Sequence, residues 1–150
     1  MGKKRVIKQT TEEALQEKES LEESVKKSSE LGPTRRFNRG RVYINVSYNN
    51  IMMTATDEKG NTITWATSGG LGFKGPKKAT PYAASRVAEV IAERLKKIGL
   101  INIDIYLKGV GSARESGIRS LAGRGLNINN IQDITPIPHN GPRPPKVRRV

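Results

Sequence analysis

The chain has 150 residues and carries 27 Lys and Arg against 14 Asp and Glu, a formal net charge of +13. That length fits one domain of ordinary size, and that charge directs it toward a polyanion. With no cysteine and a single histidine, His139, the chain excludes disulfides, thiolate chemistry and imidazole metal clusters.

The first 34 residues hold seven basic and seven acidic side chains, so the whole excess falls on 35–150, with twenty basic and seven acidic groups. This leading segment is rich in Glu, Lys and Ser, lacks aromatic residues, and has only the weak apolar rhythm of Leu15, Leu21 and Val25. It reads as a flexible, charge-balanced extension; the alternative is a partner-binding helix presenting Leu21 and Val25. Its seven Glu argue against an organellar transit peptide, and polar sequence after the basic start argues against a secretory leader. No window approaches the roughly 18 consecutive apolar residues of a membrane span. A cytoplasmic protein is therefore expected.

From Arg35 the pattern changes. Val42, Ile44 and Val46 alternate with Tyr43, Asn45 and Ser47, the period of a half-buried strand. Asn49 and Asn50 make a turn, Ile51–Thr56 reads as a second strand, residues 57–61 as another turn, and Thr62–Thr67 as a third strand. A Gly-rich loop, 68–78, leads to Thr80 and Pro81, a good N-cap and a tolerated first helical residue. Ala84, Val87, Ala88, Ile91, Leu95 and Ile98 then fall at helical spacing, and Gly99 supplies the stop. Ile101, Ile103, Ile105 and Leu107 define a fourth strand. Ser112 and Glu115 stand at capping-box spacing, opening a short helix with Ile118 and Leu121 that ends at Gly123. Residues 126–135 form the last strand, before Pro136 and Pro138 forbid regular pairing. The order is βββαβαβ.

Strands one and three of a meander run the same way, and each strand–helix–strand crossover returns its next strand parallel. Strands three, four and five then point together. The Gly-Lys loop, the Lys108-Gly109 loop and the C-terminal tail leave one sheet edge, and two of them enter helix N-termini that favour phosphate.

The loop 69–78 carries Lys74, Lys77 and Lys78, but Gly75 is followed by Pro76, which breaks the nucleotide-binding P-loop pattern. Gly72-Phe73-Lys74-Gly75 matches the GxxG of a KH domain, yet it joins a strand to a helix rather than two helices. Phosphate-backbone contact remains, against a merely solvated loop. Lys108, Arg114, Arg119 and Arg124 form a second cluster. The tail 139–150 follows, with His139, Asn140, Arg143, Lys146, Arg148 and Arg149 among three prolines that lower the entropy lost on ordering. Arg35, Arg36, Arg39 and Arg41 form a separate anchor at the other sheet edge. Seven aromatic residues, with no aromatic run on any one strand, argue against a single-strand stacking platform. No helix-turn-helix or zinc-finger spacing is present. Folded RNA, gripped by phosphate and shape, fits these features.

Two other readings compete. The element order resembles the ribonuclease H layout, in which carboxylates hold metal ions for phosphodiester cleavage. Here Asp57, Asp104 and Asp133 are too dispersed for a two-metal site, and His139 lacks a nucleophile partner. Binding to acidic membranes through the tail lacks an amphipathic anchor.

Several long motifs then stand in order: Gly72-Phe73-Lys74-Gly75, Thr80-Pro81-Tyr82-Ala83-Ala84, Gly111-Ser112-Ala113-Arg114-Glu115-Ser116-Gly117-Ile118-Arg119, and Asp133-Ile134-Thr135-Pro136-Ile137-Pro138-His139-Asn140-Gly141 with Arg143-Pro144-Pro145-Lys146. Over 40–150 this resembles the family of the eleventh small-subunit ribosomal protein, in its bacterial form. The resemblance implies an α/β, ribonuclease H-like three-layer fold with a mixed five-stranded sheet, and a non-catalytic rRNA-binding role without cofactor or metal. It implies a place on the platform of the small subunit, near the mRNA exit and Shine-Dalgarno region, beside the seventh and eighteenth small-subunit proteins. The division implied is extension 1–34, domain 35–138 and basic tail 139–150. The chain departs from the family pattern at Val110, Ala113, Gly117, Pro142 and Val147. Of these, Gly117 costs its helix about 1 kcal/mol relative to Ala, which makes that helix depend on RNA for its order.

Overall fold

The computed structural model describes residues 38–143, 145 and 146. The extension 1–34 and the basic residues Arg35, Arg36, Arg148 and Arg149 lie outside the described residues. Period-two alternation builds β1 (Arg39–Val46), β2 (Ile51–Thr56) and β3 (Thr62–Thr67) into the expected antiparallel meander. Two crossovers follow through α1 (Pro81–Ile98) and α2 (Ala113–Gly123), and β4 (Asn102–Gly109) and β5 (Asn127–Asp133) join in parallel. The sheet order is β3-β2-β1-β4-β5. Since β1 is antiparallel to β2 and β2 to β3, strands β3, β4 and β5 do point the same way.

One face of the sheet is sealed. Val42, Ile44 and Val46, Ile51, Met53 and Ala55, and Ile103, Ile105 and Leu107 are all buried there. The helices cover them. On α1, Ala84, Val87, Ala88, Ile91 and Leu95 turn inward, and the small alanines admit close approach to the strands. On α2, Ala113, Gly117 and Leu121 are buried at a four-residue interval. A Cβ placed on Gly117 would sit 2.9 Å from Met53 Cε and 3.6 Å from Ile44 Cδ1, so α2 packs on the same face as α1. The hydroxyls of Ser85 and Ser116, 2.9 Å apart, tie the helices together. Gly117 is thus a residue of close approach, where the absence of a side chain lets α2 pack on the sheet. The mixed five-stranded sheet, two helices and element order are those the family pattern implies. Among the described residues both helices lie on one face, and the third layer of a three-layer arrangement is not among them.

Helix ends show where local rules hold. Thr80 caps α1, its hydroxyl accepting from the Ala83 N–H at 3.3 Å, and Gly99 (φ 80°) closes it in the left-handed region. The capping box expected at Ser112 and Glu115 does not form. Ser112 itself is helical (φ −68°, ψ −15°), whereas a capping side chain needs extended backbone, and the Arg114 N–H turns instead to the Gly111 carbonyl at 3.5 Å. α2 ends at Gly123 as expected, and Gly125 (φ 75°) turns the chain in the left-handed region two residues further on. The last strand is shorter than 126–135 because Leu126 is drawn into the core and Thr135 turns away to bond Gly109.

Candidate nucleic-acid interface

Chain segments leaving β3, β4 and β5 emerge on one edge of the sheet. After β3, Ser68 is fully buried, donating its hydroxyl to Asn50 Oδ1 at 2.7 Å while its carbonyl accepts from the Leu71 and Phe73 N–H groups at 3.2 Å. Leu71 and Phe73 plug into the core, and Phe73 meets the Tyr82 ring edge-on at 5.9 Å. The loop is therefore pinned at its apolar residues, which leaves Lys74 and Lys77 exposed and Lys78 half-buried. Thr80 closes the loop by donating to the Lys77 carbonyl at 2.9 Å. Its cap consumes the Ala83 N–H and Pro81 has none to give, so α1 presents less N–H to a phosphate than a bare helix start. The lysines carry this edge more than the helix dipole does.

At the end of β4, Gly109 (φ 100°) passes so near β1 that an added Cβ would lie 1.8 Å from the Val46 carbonyl oxygen. Its N–H donates to Thr135 Oγ1 at 3.0 Å, which moors the outgoing C-terminal segment beside β4. Asp133 accepts from the Thr135 hydroxyl at 2.6 Å and the Thr135 N–H at 2.9 Å, and also from Arg114. Those bonds, the Thr135 hydroxyl first, hold the Asp133 carboxyl down at about 2. A group depressed in the folded state stabilises above its unfolded pKa of roughly 4, and that contribution is lost as pH falls toward about 2. Carbon-13 NMR titration of the Asp133 carboxyl is expected to show its midpoint near 2, and Thr135→Val to move that midpoint upward.

Beyond Thr135 the tail turns at Asn140, the one non-glycine residue in the left-handed region among those described (φ 53°). His139 and Asn140 at the turn, and Arg143 and Lys146 past it, all face solvent.

The predicted basic residues separate into two groups. Lys74, Lys77 and Lys78 lie on the loop that leaves β3, Lys108 lies near the end of β4, and Arg143 and Lys146 lie on the tail beyond Thr135. Four arginines face carboxylates of the chain itself. Arg114 bonds Asp133, Arg124 bonds Glu89, and Arg119 reaches Glu115 at 3.4 Å on exposed helix surface. At the opposite edge Arg39 grips Asp104 with two bonds of 3.1 Å. These arginines of the expected second cluster and of the Arg39 anchor are thus each paired with a carboxylate of the chain. Arg41 remains beside Tyr43, and the hydrogen bond between them, with neighbouring charges, raises its pKa.

Sequence reasoning missed Arg94. It is buried on α1, donates to Thr64 Oγ1 at 3.1 Å and to the Trp65 carbonyl at 2.7 Å, and has its pKa lowered by desolvation. An arginine at the end of an amphipathic helix reads as solvated surface. Only the tertiary structure shows it reaching β3.

The carboxylates do not converge. Asp57 organises the β2–β3 turn, accepting from Lys59 and Asn61 at 2.9 and 2.8 Å, and its pKa is lowered chiefly by the Asn61 side chain. Asp104 is locked to Arg39, and Asp133 lies across the sheet on the helix side, paired in register with buried Leu107. Among the described residues no group of three His, Asp or Glu side chains gathers to hold a metal, and no helix is long and apolar enough to cross a membrane.

Fold and edge together define a small basic α/β protein whose exposed cations are displayed on loops and a tail. The family model for ribosomal protein S11 matches residues 40–149. The chain is 51% identical over 117 residues to the small ribosomal subunit protein uS11 of Acinetobacter baumannii, covering 78% of this chain and 91% of that one. The uS11 of Acinetobacter baylyi is similar to the same extent, 51% over 117 residues. The chain belongs to the ribosomal protein S11 family. It is a structural constituent of the small ribosomal subunit and not an enzyme, and its relatives are bacterial.

Proposed function

We propose that this protein is fixed on small-subunit rRNA by the edge where the β3–α1 loop and the tail emerge, with Lys74, Lys77, Lys78, Arg143 and Lys146 on phosphates. The observation that carries this reading is that a loop pinned by Ser68 and Phe73 and a tail moored at Thr135 leave the sheet at the same ends of parallel strands, both bearing exposed cations. Lys108 and Arg41 add to the cationic surface, and Arg148 and Arg149 are further phosphate contacts in this reading. Residues 35–138 act as the RNA-binding domain, 139–150 as its backbone-tracking arm and 1–34 as a separate extension. The same proposal puts the protein on the platform, near the mRNA exit and Shine-Dalgarno region, beside the seventh and eighteenth small-subunit proteins, in the bacterial cytoplasm; family membership supports this reading. Photo-crosslinkers placed at Lys77 and Lys146 in intact ribosomes are expected to give rRNA adducts, and one at Glu58 on the opposite edge to give far fewer. Adducts confined to protein at both lysines would reject the assignment.

A further inference from the structure

The side of the sheet away from the helices carries an aromatic row that no single strand reveals. Trp65 on β3 pairs in register with Thr54, Thr54 with Tyr43, Tyr43 with Tyr106, and Tyr106 with Gln132, one residue from each of the five strands. Tyr43 and Tyr106 stack at 5.1 Å with ring planes 20° apart. Trp65 is 59% exposed, an unusual position for so large an apolar side chain on a strand of a folded domain. Between indole and tyrosines stands the short Thr54, so the gap spans about two strand spacings, roughly 10 Å. Stacked rings lie about 4.5–7 Å apart. One planar base therefore fits between Trp65 and Tyr43.

Charge decides what kind of partner this face takes. Arg41 neighbours Tyr43 along β1, and Lys108 neighbours Tyr106 along β4, so a cation flanks the row on either side. Arg39 and Asp104 on the same face neutralise each other, and the remaining strand positions there are uncharged or Met52. An excess of cations around an exposed indole and two half-buried tyrosine rings complements a strand with an anionic backbone and unpaired bases. We infer that the open sheet face, through Trp65, Tyr43 and Tyr106 with Arg41 and Lys108, stacks the bases of a short single-stranded stretch of RNA. This face adjoins the loop-and-tail edge, sharing Lys108 and Arg41 with its cationic surface, and both rest on the protein's being an RNA binder. It reverses the expectation drawn from the absence of an aromatic run: cross-strand register assembles the platform from residues 22 and 41 positions apart.

Trp65 is the only tryptophan, so the emission of the full-length protein reports on this face alone. Titration with a single-stranded oligoadenylate of about eight nucleotides is expected to quench that emission saturably, whereas an RNA duplex at equal phosphate concentration does not. Tyr43→Ala should weaken the single-strand titration by about fivefold or more, and Tyr43→Phe should restore it, with thermal melts confirming that both variants fold. Equal quenching by duplex and single strand would reduce the face to general phosphate attraction and overturn the proposal. Emission already shielded from acrylamide in the protein alone would overturn it too, because the chain or a second copy then covers the face. A folded rRNA fragment bound through the loop lysines, with Trp65 emission and oligoadenylate titration both flat, would sink this inference and leave the rRNA reading standing.

Discussion

Replacing Lys74, Lys77 and Lys78 together by Ala is expected to lower affinity for a folded small-subunit rRNA fragment about a hundredfold at physiological salt. Each phosphate neutralised releases counterions worth roughly 0.7–0.9 units in the slope of log K against log salt, so three contacts account for about 2.5 units. Carried from 1 M to about 0.15 M salt, that slope amounts to about two decades in affinity. Filter binding across a salt series measures both quantities. Arg119→Ala is the comparison: its guanidinium already faces Glu115, and the pair carries no net charge. Its slope is expected to change by well under one unit. An unchanged slope in the triple variant would show that the β3–α1 loop is solvated surface and leave the tail to carry the contact.

That contrast between lysines and arginines marks what could be read from the chain itself. Element order was legible because alternation in β1 and helical spacing in α1 are local signals, and parallel direction followed from crossover rules. The converging edge was therefore legible as well. Ion pairing was not. Arg39 reaches Asp104 across 65 residues and Arg124 reaches Glu89 across 35, separations that no spacing rule connects. The same limit hid the aromatic row, since its register depends on turn geometry in the two hairpins and on how β4 docks in parallel beside β1 after a helical crossover. The capping box at Ser112 failed for a different reason: the spacing was present, but Gly111 (φ 136°) sets the entry so that Ser112 is already helical.

Gly109→Ala is expected to destabilise the protein by about 3–5 kcal/mol, lowering the melting temperature by at least about 10 °C. Two terms combine. A residue with φ of 100° leaves the region that L side chains tolerate, which costs about 1–3 kcal/mol. The added Cβ also meets the Val46 carbonyl oxygen at 1.8 Å and its carbon at 2.9 Å, and these belong to backbone paired with β4 in register. Neither can yield without parting β1 from β4. Gly99→Ala separates the terms, because Gly99 (φ 80°) has no heavy atom within 4 Å of its would-be Cβ and bears only the conformational cost. Thermal unfolding of the two variants should differ by about 2 kcal/mol or more, the part due to close approach. The functional consequence follows from the same contact. Gly109 donates to Thr135, so forcing β4 away from β1 releases the mooring of the tail that carries Arg143 and Lys146. Weakened rRNA binding by whatever fraction of Gly109→Ala remains folded, with the loop lysines intact, would show that their convergence on one edge matters beyond their charge.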